Sequence, residues 1–371
     1  MSKILIVANT SWNIINFRAN LVRRLIFEGY EVVIAAGKDE YSDHIQALGA
    51  RFVKLRIRSH SINLWDDFLL IMDLMLIFRR ERPVIFLGYT IKPNIYGSLA
   101  ATFFNVPTIN NIAGLGTVFV KKGMLCKLVS LMYKHSLSKS ITIFFQNKDD
   151  LGLFKSQSIV AEKNAFLLPG SGVDLNKFKY SPLPASNKPR FLLIARLLWD
   201  KGVGEFAEAA RLLKKENISV EMCLLGFIDS QNSSSVPKSK IDEWVADGLI
   251  NYLGVTDNVH EEIAKAHCVV LPSYYREGTP RALLEGAAMG RPIITTDSIG
   301  CREVVDDGVN GYLCRPKDAH DLANKISIIA SMKNYIRDQM GLLSRKKVEN
   351  EFDEETVINK YLDAIRSAHL N

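Results

Sequence analysis

Glu277 and Glu285 stand eight positions apart in Glu277-Gly278-Thr279-Pro280-Arg281-Ala282-Leu283-Leu284-Glu285. Upstream, Arg196 and Lys201 lie in Ala195-Arg196-Leu197-Leu198-Trp199-Asp200-Lys201-Gly202. A guanidinium and an ammonium just past a strand can face one diphosphate, the first as a fork and the second as a point charge. Gly202 and Gly204 admit a close backbone approach. Two carboxylates around a Gly-Thr-Pro turn suit hydroxyl groups, Glu277 from the loop and Glu285 about one turn into the helix that starts near Arg281. Amides at that helix start favour an anion. Taken singly, an Arg and a Lys at a strand end or two glutamates on a surface mean only solvated charge. All four in one arrangement suit a ligand with phosphate and sugar hydroxyls.

The elements that must position these groups follow a strand-helix alternation. Ile4–Val7, Val32–Ala36, Phe52–Leu55, Val84–Leu87, Thr108–Asn110 and Ile141–Phe145 read as strands. Helical patterns fill the intervals at Asn20–Glu28, Tyr41–Leu48, Trp65–Arg80, Ile95–Phe104 and Met124–Ser138. After a Pro, Ser and Asn-rich stretch at 181–189 the alternation restarts, with strands at Arg190–Ala195, Glu221–Leu225, Ile250–Leu253, Cys268–Leu271, Ile293–Thr296 and Gly311–Leu313. This predicts α/β architecture with two parallel sheets covered on both faces, ligands sitting at the carboxyl ends of strands. The expected divisions are an N-terminal Rossmann-like domain over 1–182, a C-terminal one over 183–345, and a final helical segment, 346–371, that returns to the N-terminal domain. Glu354–Ser367 reads as the terminal helix.

The totals narrow the class. A chain of 371 residues exceeds one hydrophobic core. Five cysteines without a CxxC pair argue against a zinc site or disulfide framework and for a reducing compartment. Ile4–Val7 is too short an apolar run for a signal peptide. Residues 66–82 are apolar but interrupted by Asp73, so a core helix is expected there rather than a membrane span. Residues 1–186 carry 23 basic and 13 acidic side chains, net +10, against −3 for 187–371. On charge alone the partner of the basic half is anionic lipid, nucleic acid or a phosphate-bearing substrate. No base-reading or aromatic stacking pattern supports nucleic acid. Leu125, Leu128, Val129 and Met132 form a helical stripe with Lys127 and Lys134 off it and Lys121 and Lys122 just before. That is either a helix packed on the sheet or a membrane-facing one, and peripheral attachment is the preferred reading.

With these motifs in view, the sequence resembles the retaining GT-B-fold glycosyltransferases of family 4 over nearly its whole length. The likeness rests on Ala195-Arg196-Leu197-x-x-x-Lys201-Gly202, on the Glu277–Glu285 motif, and on Gly170-Ser171-Gly172-Val173-Asp174 with Phe178. Phe145-Gln146-Asn147-Lys148-Asp149-Asp150 and Asn111-Ile112-Ala113-Gly114-Leu115-Gly116 further resemble bacterial enzymes that extend undecaprenyl-diphosphate-linked sugars in O-antigen, capsule or glycan assembly. The resemblance implies two Rossmann-like domains facing across a cleft and a hexosyltransferase on the cytoplasmic face of the plasma membrane. It implies a UDP-sugar donor, GalNAc first and then GlcNAc or Gal, and a lipid-linked saccharide acceptor. Arg196 and Lys201 would hold the donor diphosphate, Glu285 the ribose, and Glu277 the donor sugar with the backbone of Gly278 and Thr279. Gly226 and Val255 would line the uracil pocket. No Asp-x-Asp cluster ends a strand, so no metal is expected.

Two departures bear on the acceptor side. Where many relatives carry a Gly-Gly pair after the first strand, this chain has Ser11-Trp12-Asn13-Ile14-Ile15-Asn16-Phe17-Arg18, and where many carry a histidine it has Asn110 and Asn111. No general base transfers. Asn13, Asn16, Arg18 and Asn111 are taken as acceptor-side residues, with capping of the first helix as the plain alternative for Asn16 and Arg18. Other readings are a UDP-sugar epimerase of the same fold and a silent binding protein. A dinucleotide oxidoreductase is disfavoured because no Gly-x-Gly-x-x-Gly follows the first strand.

Overall fold

Parallel strands buried on both faces need apolar residues at successive positions, and the first strand supplies Ile4-Leu5-Ile6-Val7. In the computed structural model, which describes residues 2–57, 63–115, 119, 123–186, 188–230 and 232–368, the chain divides into two units. The first comprises residues 1–171 and 355–371, the second 172–354.

The first unit runs β1 (Lys3–Thr10), α1 (Ser11–Phe27), β2 (Glu31–Gly37), α2 (Ser42–Ala47), β3 (Arg51–Lys54), α3 (Leu64–Glu81) and β4 (Ile85–Tyr89). A π-turn at Pro93–Gly97 leads into α4 (Ser98–Phe103), then β5 (Thr108–Ile112), α5 (Met124–Ser136), β6 (Thr142–Phe145), α6 (Lys148–Ser156) and β7 (Ala165–Leu167). The seven strands are parallel in the order β3-β2-β1-β4-β5-β6-β7. Alternate residues serve opposite layers. Leu5, Val7, Val33 and Phe86 pack with α3, α4 and α5, while Ile4, Ile6, Val32 and Ile34 pack with α1 and the terminal helix.

The second unit runs β8 (Arg190–Ile194), α7 (Val203–Lys215), β9 (Glu221–Leu225), α8 (Lys238–Ala246), β10 (Asn251–Tyr252), α9 (Val259–Ala264) and β11 (Cys268–Leu271). It continues through α10 (Arg281–Ala288), β12 (Ile293–Thr296), β13 (Gly311–Cys314), α11 (Ala319–Ser331) and α12 (Asn334–Glu351). Its sheet is parallel in the order β10-β9-β8-β11-β12-β13, so the winding reverses between β8 and β11. The last helix, α13 (Glu354–Ala368), returns to the first unit, where Val357, Ile358, Tyr361, Leu362 and Ile365 enter the core.

The boundaries differ from those read in the sequence at 182 and 345. Residues 172–182 belong to the second unit because fully buried Arg291 donates to the Ser181 carbonyl at 2.8 Å, and Arg345 donates to the Phe178 carbonyl at 2.9 Å. Residues 346–354 stay there too, as the end of α12 and its turn. The two ends of the unit lie side by side: Val173 N–H donates to Phe352 at 2.9 Å, and Glu354 N–H donates back to Val173 at 3.2 Å.

Helix α1 starts at Ser11, nine residues before the expected Asn20, because Thr10 Oγ1 accepts from Asn13 N–H at 3.2 Å and caps it. Asn16 and Arg18 therefore do not cap this helix. No described helix is long and apolar enough to cross a membrane. The apolar stripe expected on α5 is divided: Val129 and Met132 pack inward, whereas Leu125 and Leu128 are exposed. Lys121, Lys122 and Gly116 lie outside the described residues.

Candidate active site

The reversal between β8 and β11 leaves a crevice at their carboxyl ends, the usual ligand position in open parallel sheets. Two loops meet there. After β8, a 3₁₀ turn at Trp199–Lys201 ends in Gly202 with φ of +77°. A Cβ at Gly202 would come within 2.2 Å of the Pro272 carbonyl, so only glycine lets this turn lie against the loop after β11. The Asp200 carbonyl ties the loops together, accepting from Tyr274 N–H at 3.0 Å and Tyr275 N–H at 3.1 Å.

That strapping sets Lys201 Nζ against Glu277 Oε1 as a largely buried ion pair. Ser273 Oγ donates to the same carboxylate oxygen at 3.0 Å. The ring of Tyr275 lies 5.3 Å from Lys201 Nζ. Burial pushes the Tyr275 hydroxyl above its ordinary range, Glu277 pushes it further, and Arg196 works against both. Lys201 and Glu277 thus meet beside Tyr275, whose hydroxyl also feels the charge of Arg196. The guanidinium of Arg196 is held by Asp229, Nη1 to Oδ2, at 3.3 Å.

Glu285 occupies α10, whose first residue follows Pro280 and whose positive end faces the Glu277 loop. Arg281 Nε donates to Glu285 at 3.2 Å, one helical turn apart. Burial nevertheless raises the Glu285 pKa above 4.5, with Arg281 and Lys177 pulling the other way. Gly278 and Thr279 are buried in the loop between. The loop is seated from behind by Gly300, at φ of +82°, where a Cβ would approach the Gly278 carbonyl to 1.7 Å. Gly226 joins the ends of three strands: its N–H donates to Gly254 at 2.8 Å, its carbonyl accepts from Tyr252 at 2.9 Å, and a Cβ would strike the Ala195 carbonyl. Val255 projects into solvent just beyond.

Sequence reasoning passed over Asp229, Ser273, Tyr275, Arg281 and Lys177. Ser273 was the most accessible of these, standing two residues past a clear strand. Asp229 lies in an irregular stretch with no periodicity to mark it.

In the first unit the residues taken for an acceptor side separate into two groups. Asn13 Oδ1 accepts from Arg18 Nη1 at 2.6 Å, and the buried Arg18 guanidinium stacks on Tyr89 at 3.8 Å from the ring centroid. Asn16 is exposed and donates to the Trp12 carbonyl at 3.1 Å. These three sit on α1, beyond the carboxyl end of β1, where this sheet also reverses. Asn111 is elsewhere. Its side chain is buried, donating to Tyr361 Oη at 2.9 Å and accepting from Gln146 Nε2 at 3.0 Å. It fastens α13 to the sheet, a structural task that the expectation did not include.

Known proteins give this geometry a family. Residues 3–147 match the model described as glycosyl transferase 4-like, and residues 188–331 match glycosyl transferases group 1. The N,N'-diacetylbacillosaminyl-diphospho-undecaprenol alpha-1,3-N-acetylgalactosaminyltransferase of Campylobacter jejuni is 26% identical, over 94% of each chain. The UDP-Gal:alpha-D-GlcNAc-diphosphoundecaprenol alpha-1,3-galactosyltransferase of Escherichia coli is 23% identical, over 84% of this chain and 81% of its own. Among solved structures, Anabaena HepE in complex with UDP and glucose superposes with a TM-score of 0.81 at 15% identity, covering 99% of this chain and 100% of that one. With a glycosyltransferase domain matched in each unit and parallel Rossmann-like sheets in both, the chain belongs to the glycosyl transferase 4-like and group 1 families and is a glycosyltransferase of the GT-B fold.

Proposed function

We propose that the protein moves a hexosamine or hexose, GalNAc foremost, from a UDP-sugar to an undecaprenyl-diphosphate-linked saccharide in bacterial surface polysaccharide or glycan synthesis, with retention at the anomeric carbon. The observation that carries this reading is the Lys201–Glu277 pair, held across the β8/β11 reversal, with Arg196 in the same segment between β8 and α7 as Lys201. The full-length likeness to two transferases named for diphospho-undecaprenol substrates supports the acceptor class.

Breaking the anomeric C1–O bond sends its electron pair to the β-phosphate of the departing UDP and leaves an oxocarbenium-like sugar. Stabilising that phosphate is the main electrostatic demand. Lys201 exchanges its carboxylate partner for the diphosphate, and Arg196 adds its fork, which meets the demand without a metal. Glu277, released from Lys201, accepts from hydroxyls of the donor sugar, and Glu285 accepts from the ribose. The acceptor hydroxyl attacks C1 on the face from which UDP leaves and gives its proton to the departing phosphate oxygen. A double-displacement glycosidase would need two carboxyl groups about 5–5.5 Å apart across the bond. Here Glu277 is the loop carboxylate assigned to the sugar. The basic, membrane-facing first half would bring the enzyme to the inner leaflet, where the lipid-linked acceptor lies.

Glu277→Ala and Glu277→Gln should both lose transfer by roughly a hundredfold or more while circular dichroism stays native, in line with loss of a positioned transition-state contact. Wild-type turnover in either sinks the donor-sugar assignment. A panel of nucleotide sugars against lipid-diphosphate acceptors, with NMR of the product, tests donor and stereochemistry, and a rate unchanged by EDTA is expected. Conversion of the free nucleotide sugar without acceptor would favour an epimerase instead.

A further inference from the structure

A surface helix ordinarily turns its polar side to water. Helix α3 does not. Leu70, Leu74, Ile77 and Phe78 fill the core on one side, yet on the opposite side Trp65 is 64% exposed, Phe68 50%, Met72 44% and Leu76 59%. Spacings of three and four residues put these four in one stripe, and the rings of Trp65 and Phe68 stack at 5.5 Å. The core-helix expectation for this segment accounts for one side only. Helices α4 and α5 cover the same sheet face, and their outer sides expose Phe103, Met124, Leu128 and Leu131. This is more apolar surface than a lone exposed leucine requires explaining.

Cations border it. The stripe on α3 runs into Arg79 and Arg80, which with Lys54 line a groove of about 590 Å³ beside Leu76. Three acidic groups of α3 are paired: Asp73, which also lines the groove, by Arg56, Nε to Oδ2 at 2.9 Å, Asp67 by Lys92 at 2.7 Å, and Glu81 by Lys3, Arg51 and Arg80. On α5, Lys127 and Lys134 are exposed beside the apolar side chains. The first unit as a whole carries 23 basic and 14 acidic residues, net +9.

We propose that the outward faces of α3 and α5 dock on an anionic phospholipid bilayer, with Trp65, Phe68, Met72 and Leu76 entering the headgroup boundary and the Lys54–Arg79–Arg80 groove holding lipid phosphate. An aromatic pair at one end of an apolar stripe and cations at the other match the two layers of a membrane interface. Charge complementarity selects this occupant over a second copy of the chain, whose equally basic rim would face this one. The proposal deepens the membrane-bound reading of the enzyme by naming α3, from which that reading drew nothing.

The test is sedimentation of the full-length protein with phosphatidylglycerol/phosphatidylcholine vesicles, without donor or acceptor. Failure then leaves the transferase reading untouched, which stands or falls on turnover of Glu277 variants. Phe68→Ser with Leu76→Ser should lower partitioning roughly tenfold or more, and Lys54→Gln with Arg79→Gln and Arg80→Gln roughly a hundredfold at low salt. Brominated lipid should quench wild-type fluorescence but not that of Trp65→Phe, which keeps Trp12, Trp199 and Trp244. Wild-type partitioning in both multiple variants overturns the proposal, as does equal binding to pure phosphatidylcholine. A lipid-free dimer that the Phe68→Ser/Leu76→Ser variant dissociates would assign the face to a second copy and overturn it equally.

Discussion

Glu277 and Glu285 are the same residue kept in different company. Glu277 faces the ammonium of Lys201 and the hydroxyl of Ser273, so its charge is matched. Glu285 has Arg281 beside it, but burial prevails and its pKa lies above the ordinary 4.5. The folded state therefore holds this proton more tightly than the unfolded chain, and the free protein should gain stability from this group as the pH falls through the raised value toward 4.5. Glu285→Gln should remove that part of the pH dependence, seen by thermal melts across the acidic range, while raising KM for the donor roughly tenfold, the cost of a charged hydrogen bond. Unchanged KM would separate Glu285 from the ribose. The four residues proposed for the donor stood out in the sequence because they lie in short motifs between a clear strand and a helix, Arg196 and Lys201 between β8 and α7, Glu277 between β11 and α10, and Glu285 within α10. Their partners were not. Asp229, Ser273 and Lys177 come from turns and loops, where only the closed fold determines the neighbour.

Elements position these side chains through contacts that tolerate no added atom. Gly300 lies under the Gly278 carbonyl with a left-handed backbone. Gly300→Ala should therefore shift the Glu277 loop, costing about 1–3 kcal/mol of stability from backbone strain alone and lowering kcat more than donor affinity. A melting temperature and kcat like those of the wild type would show the loop to be seated otherwise. The strands of both sheets were readable because buried parallel strands are continuous apolar runs. The elements missed have physical reasons. β7 is three residues long with Phe166 and Leu167 exposed, and α12 is polar around most of its circumference; α1 is legible but its start is not, because its first turns hold Asn13 and Asn16, which disfavour helix until Thr10 caps it. The structural task of Asn111 was not readable because a buried asparagine and a ligand-binding asparagine look alike until Tyr361 is seen against it.

At the scale of the molecule there are two cores, each with layers on both sides of its own sheet. Unfolding need not be one transition, and a ligand stabilises only the unit that binds it. With the residues proposed for the donor in 172–354, UDP at a hundredfold excess over its Kd should stabilise that unit by about 2.7 kcal/mol, moving one calorimetric transition and leaving the other. Two transitions moving equally would mean that the units unfold as one. The adjoining ends of the second unit, near Val173 and Glu354, have a consequence for how the chain is made. The second unit is an insertion within the first. On the ribosome, its whole sheet emerges before α13 does, while the core around Ile4 and Ile34 waits for Tyr361 and Ile365. The unit whose synthesis starts first is completed last.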